Sequence, residues 1–279
     1  MEKEFRLENL ELRADMKDKG VFKIILALIC GICVLFLITP IIALFTFPWG
    51  KSLNLILDSF VLQAVIISLK STFLSLLIIV VVGMPTAYYM ARYSFWGKGF
   101  VEVLMQLPLV LPPAVAGLLL LVTFGRNGLI GKHLAPFGIQ LPFTFIAVVI
   151  AQVFIAMPIF IQSARTGFEK VDRELENSAA VLGASNLQIF HLITMPLSKN
   201  SLITGAILSW ARALAEFGAT MLFAGNLAGK TQTLPLAIYT AMEVDLNISM
   251  GISVCLVVVS IGVLIILKCI VRSEEDSNV

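Results

Sequence analysis

The chain has 279 residues, 58% of them hydrophobic and 14% charged, with a mean hydropathy of +0.96 and a formal net charge of +2. A soluble domain of this length could not bury so much apolar surface, and so small a net charge gives no reason to expect a nucleic-acid partner. The apolar residues fall in long blocks suited to α-helices, which need about 20 residues to cross ~30 Å of hydrocarbon.

The expected fold is therefore all-α: a polytopic membrane protein with about six transmembrane helices, over 24–46, 64–91, 101–124, 143–164, 197–223 and 248–271. A 23-residue head carrying Lys3, Arg6, Arg13, Lys17, Lys19 and Lys23 precedes the first block, and no small-residue cleavage site follows that block. The block reads as a retained anchor rather than a signal peptide. Residues 1–23 and 272–279 thus flank a transmembrane domain over 24–271. Cys30, Cys33, Cys255 and Cys269 all lie in apolar segments, and Cys30-x-x-Cys33 has no second ligand pair to make a zinc site. They read as small packing residues.

The second block holds Lys70 near one end and Gly83-Met-Pro85 near the other, and a kink or tilt is expected. The third holds Pro108, Pro112 and Pro113, each lacking an N–H donor, so its helix must break or bend. With the N-terminus inside, 14 Lys and Arg fall on inner segments against four on outer ones, Lys51, Arg126, Lys132 and Lys230; Lys70 and Arg212 lie within spans. The positive-inside rule then puts both termini in the cytoplasm. No strong internal repeat relates the two halves, which weighs against the inverted repeats of many secondary transporters.

Between spans four and five, the inner loop 165–196 divides into two short helices at Gly183-Ala184-Ser185. Asp172, Glu174 and Glu176 suit the positive start of the first helix, Gly183 is a natural stop, and Ser185 with Gln188 matches a capping box opening the second, which runs to Met195 ahead of Pro196. Ala179, Ala180, Gly183 and Ala184 are small residues that let a partner approach the backbone; an amphipathic helix lying on the bilayer is the other reading of the same pattern. The run Glu176 to Phe190, closing on Met195-Pro196, resembles the EAA loop of ABC importer permeases. By that resemblance the loop is the coupling helix seated in a cleft of the ATP-binding subunit, with Glu176, Asn177, Ser178, Ala179, Gly183, Ala184, Phe190 and Pro196 as its coupling residues. The family's Glu falls on Asn177 and its first Ala on Ser178, with Glu176 one residue early, which leaves open which side chain contacts the ATPase.

From Trp210 to Glu243 the chain reads WARALAEFGATMLFAGNLAGKTQTLPLAIYTAME. This is very similar to the signature of molybdate/tungstate permeases, and with the EAA loop and Leu107–Pro113 the resemblance extends over essentially all six spans. Sulfate and thiosulfate permeases share the E-[FY]-G element and are the alternative. The resemblance implies a homodimer with the translocation path at its interface, two ABC ATPase subunits, an extracytoplasmic oxyanion-binding protein, and a multi-pass location in a prokaryotic inner membrane. Arg212, Glu216, Thr220, Gly225, Asn226, Thr231, Gln232 and Thr233 are the candidates for path or gate, the outer loop 225–243 lying near the outer gate. Arg212 and Glu216 sit four apart on one helix face; either Arg212 guides an oxyanion, or the two form a structural ion pair.

Ala224 to Thr231 imitates a phosphate loop, but it leaves a membrane span instead of joining a buried strand to a helix. The chain is expected to hold no cofactor, and ATP to bind a separate subunit. His133 and His191, the two histidines, have no carboxylate or cysteine cluster beside them, so a membrane enzyme lacks its catalytic set. An ion-coupled secondary transporter would need midplane ionisable residues and no docking loop.

Overall fold

The computed structural model describes residues 2–46 and 59–275, with side chains over 22–46 and 59–265. Lys51, the side chain of Cys269 and residues 276–279 lie outside the described residues. The chain forms two units, 1–50 and 51–279. The first unit is one helix, α1 (Glu2–Thr46), in which the charged head and the apolar block are continuous. Its window Phe22–Thr46 has a mean hydropathy of 3.0 and no buried residues. Such an all-round apolar helix is stable only in lipid or against another apolar surface. Cys30 and Cys33 are exposed on it.

In the second unit, α2 (Ser59–Arg92) is a single helix of 34 residues with Pro85 inside it. The proline-rich block becomes two helices, α3 (Lys98–Val110) and α4 (Pro113–Phe124), set at 114° to each other. The physical reason is local: Pro112 has no N–H, and Leu111 and Pro112 take extended backbone, so the helical ladder ends at Val110 and restarts with proline in its first turn. After a tight turn through Gly131–Leu134, α5 (Phe145–Lys170) runs for 26 residues, so the first six residues of the expected 165–196 loop are helical. Thr144 caps α5 by accepting from the Ala147 N–H at 3.2 Å. Thr144→Ala should therefore lower stability by about 1 kcal/mol. A calorimetric melt in detergent checks this, and an unchanged midpoint would remove the cap from the account.

The segment 171–197 contains α6 (Arg173–Val181), then Asn186–Ile189, a π turn at Phe190–Thr194 and Met195–Leu197. The fifth expected span is divided. α7 (Lys199–Leu214) ends at Ala215, and α8 (Gly218–Phe223) follows after a break at 215–217. The outer loop 225–243 also differs from expectation, because residues Leu234–Val244 form α9; its 11 residues are too few to read as a span. The last helix is α10 (Leu246–Glu275). Among the described residues, four helices are long and apolar enough to cross a membrane, and the bent α3–α4 pair makes a fifth candidate.

Lipid is as apolar as leucine, so these helices cannot be held by a hydrophobic force alone; close packing and hydrogen bonds must contribute. A Cβ on Gly167 would lie 2.5 Å from that of Ser201, and one on Gly205 2.8 Å from that of Ser163, so small residues set the α5–α7 crossing. Around it pack Ile79, Phe160, Phe168, Leu202 and Ala213. A second cluster joins α4, α5 and α8 through Ala116, Val148, Ile155, Ala219 and Phe223; a third joins α2, α9 and α10 through Val61, Leu234, Ala237 and Ile252. Buried polar groups tie the bundle as well. Gln152 on α5 donates to Ser71 at 3.1 Å and accepts from Ser75 at 2.9 Å, both on α2, and Ser68 accepts from the Leu234 N–H at 2.7 Å.

Candidate functional site

Two constellations carry the chemistry. The first is the segment 171–197. Asp172 caps α6 through the Glu174 N–H at 2.9 Å, and Ser185 and Gln188 form the expected capping box reciprocally. Between them Gly183 takes φ +89°, a left-handed conformation that glycine reaches without the Cβ clash other residues suffer. The two short helices therefore meet at a sharp corner whose outer side is apolar: Val181 and Leu182 are both 88% exposed, with Leu187 beside them at 68%. Gly183, Asn177 and Ser178 are exposed as well, while Ala179 and Ala184 are half-buried. Exposed leucine and valine on a corner stiffened by caps make a surface complementary to an apolar cleft.

Glu176 turns the other way. Its carboxylate accepts from Arg92 Nη2 at 2.8 Å and Nε at 3.1 Å, and also from the Thr194 hydroxyl. Arg92 further donates to the Val171 carbonyl at 3.3 Å, and Arg173 donates to the Arg92 carbonyl at 3.3 Å. The end of α2 thus clamps both halves of the segment. Phe190 is half-buried and meets Tyr88 at 4.8 Å between ring centroids, so an aromatic contact backs the clamp. Pro196 is exposed in the last turn. The one-residue offset of Glu176 now has a physical reason: that position faces the protomer, and Asn177 faces out. Arg92 and Thr194 were not expected at this site. Arg92 had counted only as an inner positive charge, and no spacing rule relates residues 84 apart.

The second constellation is the 212–233 stretch. Arg212 Nη1 pairs with Glu216 at 2.8 Å, and the other carboxylate oxygen accepts from the Ala219 N–H at 2.8 Å. Glu216 therefore closes the break between α7 and α8, linking an arginine at one helix end to a free N–H at the start of the next. The carboxylate is fully buried while Arg212 remains 31% exposed. Glu216→Ala should cost about 1–3 kcal/mol, because it leaves the Ala219 N–H without its acceptor and Arg212 without its partner. Thermal unfolding of the purified protein measures it; no change would mean that the break is held by packing alone.

Beyond α8, Gly225 takes φ +73° with Phe143 against it, and a Cβ there would lie 2.8 Å from the Phe143 ring. Asn226 donates to Thr240 at 2.7 Å and accepts from Gln232 at 2.8 Å; Thr231 accepts from the Leu227 N–H at 3.0 Å. Thr220, Thr231, Gln232 and Thr233 are all buried. The structure thus brings 225–233 together as a self-bonded knot beside α9, apart from the 171–197 segment in chain and in contacts.

A family model described as the inner-membrane component of binding-protein-dependent transport systems matches residues 83–273. The chain is 34% identical over 268 residues to the probable transport system permease protein NifC of Clostridium pasteurianum, covering 95% of this chain and 93% of that one. It is 43% identical to the putative molybdenum transport system permease protein YvgM of Bacillus subtilis, over 70% and 87% of the two chains. The sulfate transport system permease protein CysT of Salmonella typhimurium matches at 33% over 78% and 79%. A bacterial ABC transporter that imports alginate shares the fold, with a TM-score of 0.73 at 17% identity over 94% of this chain and 99% of that one; it has also been solved with a pentasaccharide-bound periplasmic protein.

Proposed function

Since this chain belongs to the family of inner-membrane components of binding-protein-dependent transport systems, and is the permease subunit of an ABC importer, we propose that its cargo is molybdate or tungstate. The observation that carries the substrate is the stretch Trp210 to Glu243, together with relatives named for molybdenum that match at higher identity than the sulfate relative.

In this reading two copies form the path, and an ATPase docks on the corner at Gly183, where exposed Val181 and Leu182 need a cover. An extracytoplasmic binding protein delivers the anion at the opposite face, both termini lie in the cytoplasm, and the chain itself binds no cofactor. The ATPase can drive transport only if its closed form fits one permease conformation better than the other. The corner is suited to report that difference, because the Arg92–Glu176 clamp ties it to the end of the 34-residue helix α2.

The test is uptake of labelled molybdate, tungstate and sulfate into proteoliposomes holding the chain with its ATPase and binding protein. ATP-dependent uptake of molybdate or tungstate, uncompeted by excess sulfate, is expected. Uptake of sulfate alone would move the chain to the sulfate group.

A further inference from the structure

The signature stretch is the obvious place to look for contacts to the transported anion, yet its candidate polar side chains are buried, apart from half-buried Asn226 and from Arg212, which is 31% exposed and paired with Glu216. Glu216, Thr220, Thr231, Gln232 and Thr233 are buried; Asn226 and Gln232 are committed to each other and to Thr240, and Thr231 to the backbone of Leu227 and Gly225. A dianion moving along the protomer surface cannot reach them without unpicking that network.

A different polar surface is open. On α5, Gln162, Thr166 and Lys170 recur at helical spacing; on α7, Asn200, Ser201 and Thr204 do the same, and the two rows line one groove of about 480 Å³. Gln162, Thr166, Lys170, Asn200 and Thr204 are all exposed in it. The groove runs back from the end of α5 that leads into the docking segment, over a rise of about 12 Å from Lys170 to Gln162. The Thr166 and Thr204 hydroxyls already donate to the Gln162 and Asn200 carbonyls at 2.9 and 2.7 Å, but the Gln162 and Asn200 amides and the Lys170 ammonium would go unmet against acyl chains.

The charge is one-sided. No carboxylate lines the groove, and the nearest acid in the chain, Glu169, is held by Arg165 at 2.7 Å, which also holds Glu102 at 2.8 Å. Asp172 is turned into its own cap. Lys170 forms no ion pair among the described residues. We propose that this groove is the exit site for the transported oxyanion, with the Lys170 ammonium and the amides of Gln162 and Asn200 donating to an ion that can only accept, and the Ser201 hydroxyl completing its shell. A single cation among neutral donors holds the ion weakly enough to let it go, as conduction requires. The proposal rests on the reading of the chain as an oxyanion permease.

The experiment uses the complete transporter in proteoliposomes of zwitterionic lipid alone, and again with anionic lipid added. Wild type must first take up molybdate; if it moves none of the oxyanions, the substrate reading fails and this proposal with it. Given wild-type uptake, Lys170→Glu and Asn200→Leu are expected to lower it on the order of tenfold in both lipids, the scale of losing a charge-assisted hydrogen bond. ATP hydrolysis stimulated by the loaded binding protein should stay within about twofold of wild type, and Lys170→Arg should restore uptake, because a cation is again present. Wild-type uptake per ATP in both variants would overturn the site. So would parallel loss of hydrolysis, which would make Lys170 part of the docking surface. A deficit confined to anionic lipid would show that the groove holds a phospholipid headgroup.

Discussion

Replacing Gly183 by Arg is expected to abolish ATP-driven uptake while the protomer still folds. A Cβ at Gly183 would meet nothing within 4 Å, so the free protomer has room for the new side chain. The remaining cost is the φ of +89°, a left-handed backbone that costs a residue with a Cβ about 1–2 kcal/mol. That is tolerable for a bundle held by three buried clusters. At the interface the effect is of another kind. The guanidinium would stand on the same corner as Val181 and Leu182, which have to be desolvated on docking, and a charge in an apolar contact removes a hot spot worth ~2 kcal/mol or more, about thirtyfold in affinity. Co-purification of the ATPase and uptake in proteoliposomes should both fail, with circular dichroism unchanged. Normal uptake would exclude this corner as the docking point.

Breaking the Arg92–Glu176 clamp is expected to cost more stability than any other single change considered. The two side chains are only 8% and 12% exposed, so removing one leaves the other charged, nearly dry and partly unpaired. Broken buried pairs cost about 3–5 kcal/mol, whereas replacing both partners by apolar residues of similar volume is often close to neutral. Arg92→Met and Glu176→Leu should therefore each lower the melting temperature and speed hydrogen exchange over 173–197, and the two together should be less harmful than the sum of the single changes. Arg92→Lys should not rescue, since one ammonium cannot meet Glu176 through two nitrogens while also reaching the Val171 carbonyl. Additive single and double effects would show that the two residues act independently. Uptake is predicted to fall with exchange protection, because a corner no longer fixed to α2 cannot pass on what the ATPase does.

Proline spacing and capping residues made several local features legible before any coordinates. The break ahead of Pro113 falls where a missing N–H must end a ladder, and the Ser185–Gln188 box opens its helix as its spacing requires. Glu216 was legible only in part. Its pairing with Arg212 follows from a separation of four, but its hydrogen bond to Ala219 depends on the break at 215–217, which no proline or positive-φ glycine announces. The helix Leu234–Val244 was hidden for a related reason: it is short and apolar, and its partners lie on α2 and α10.

By itself the sequence determined that the chain is an all-helical membrane protein, where its two capped short helices and the turn at Gly183 lie, and to which transporters it is related, because hydrophobic block length, turn chemistry and motif spacing are all local properties. Only the tertiary structure decided that Glu176 faces Arg92 while Asn177 faces out, that the signature threonines and glutamine are buried, and that polar rows of α5 and α7 meet in one groove. Helical periodicity assigns a residue to a face of its own helix. Which neighbour that face meets is set by small residues such as Gly167 and Gly205 at the crossing, from parts of the chain that no local rule connects.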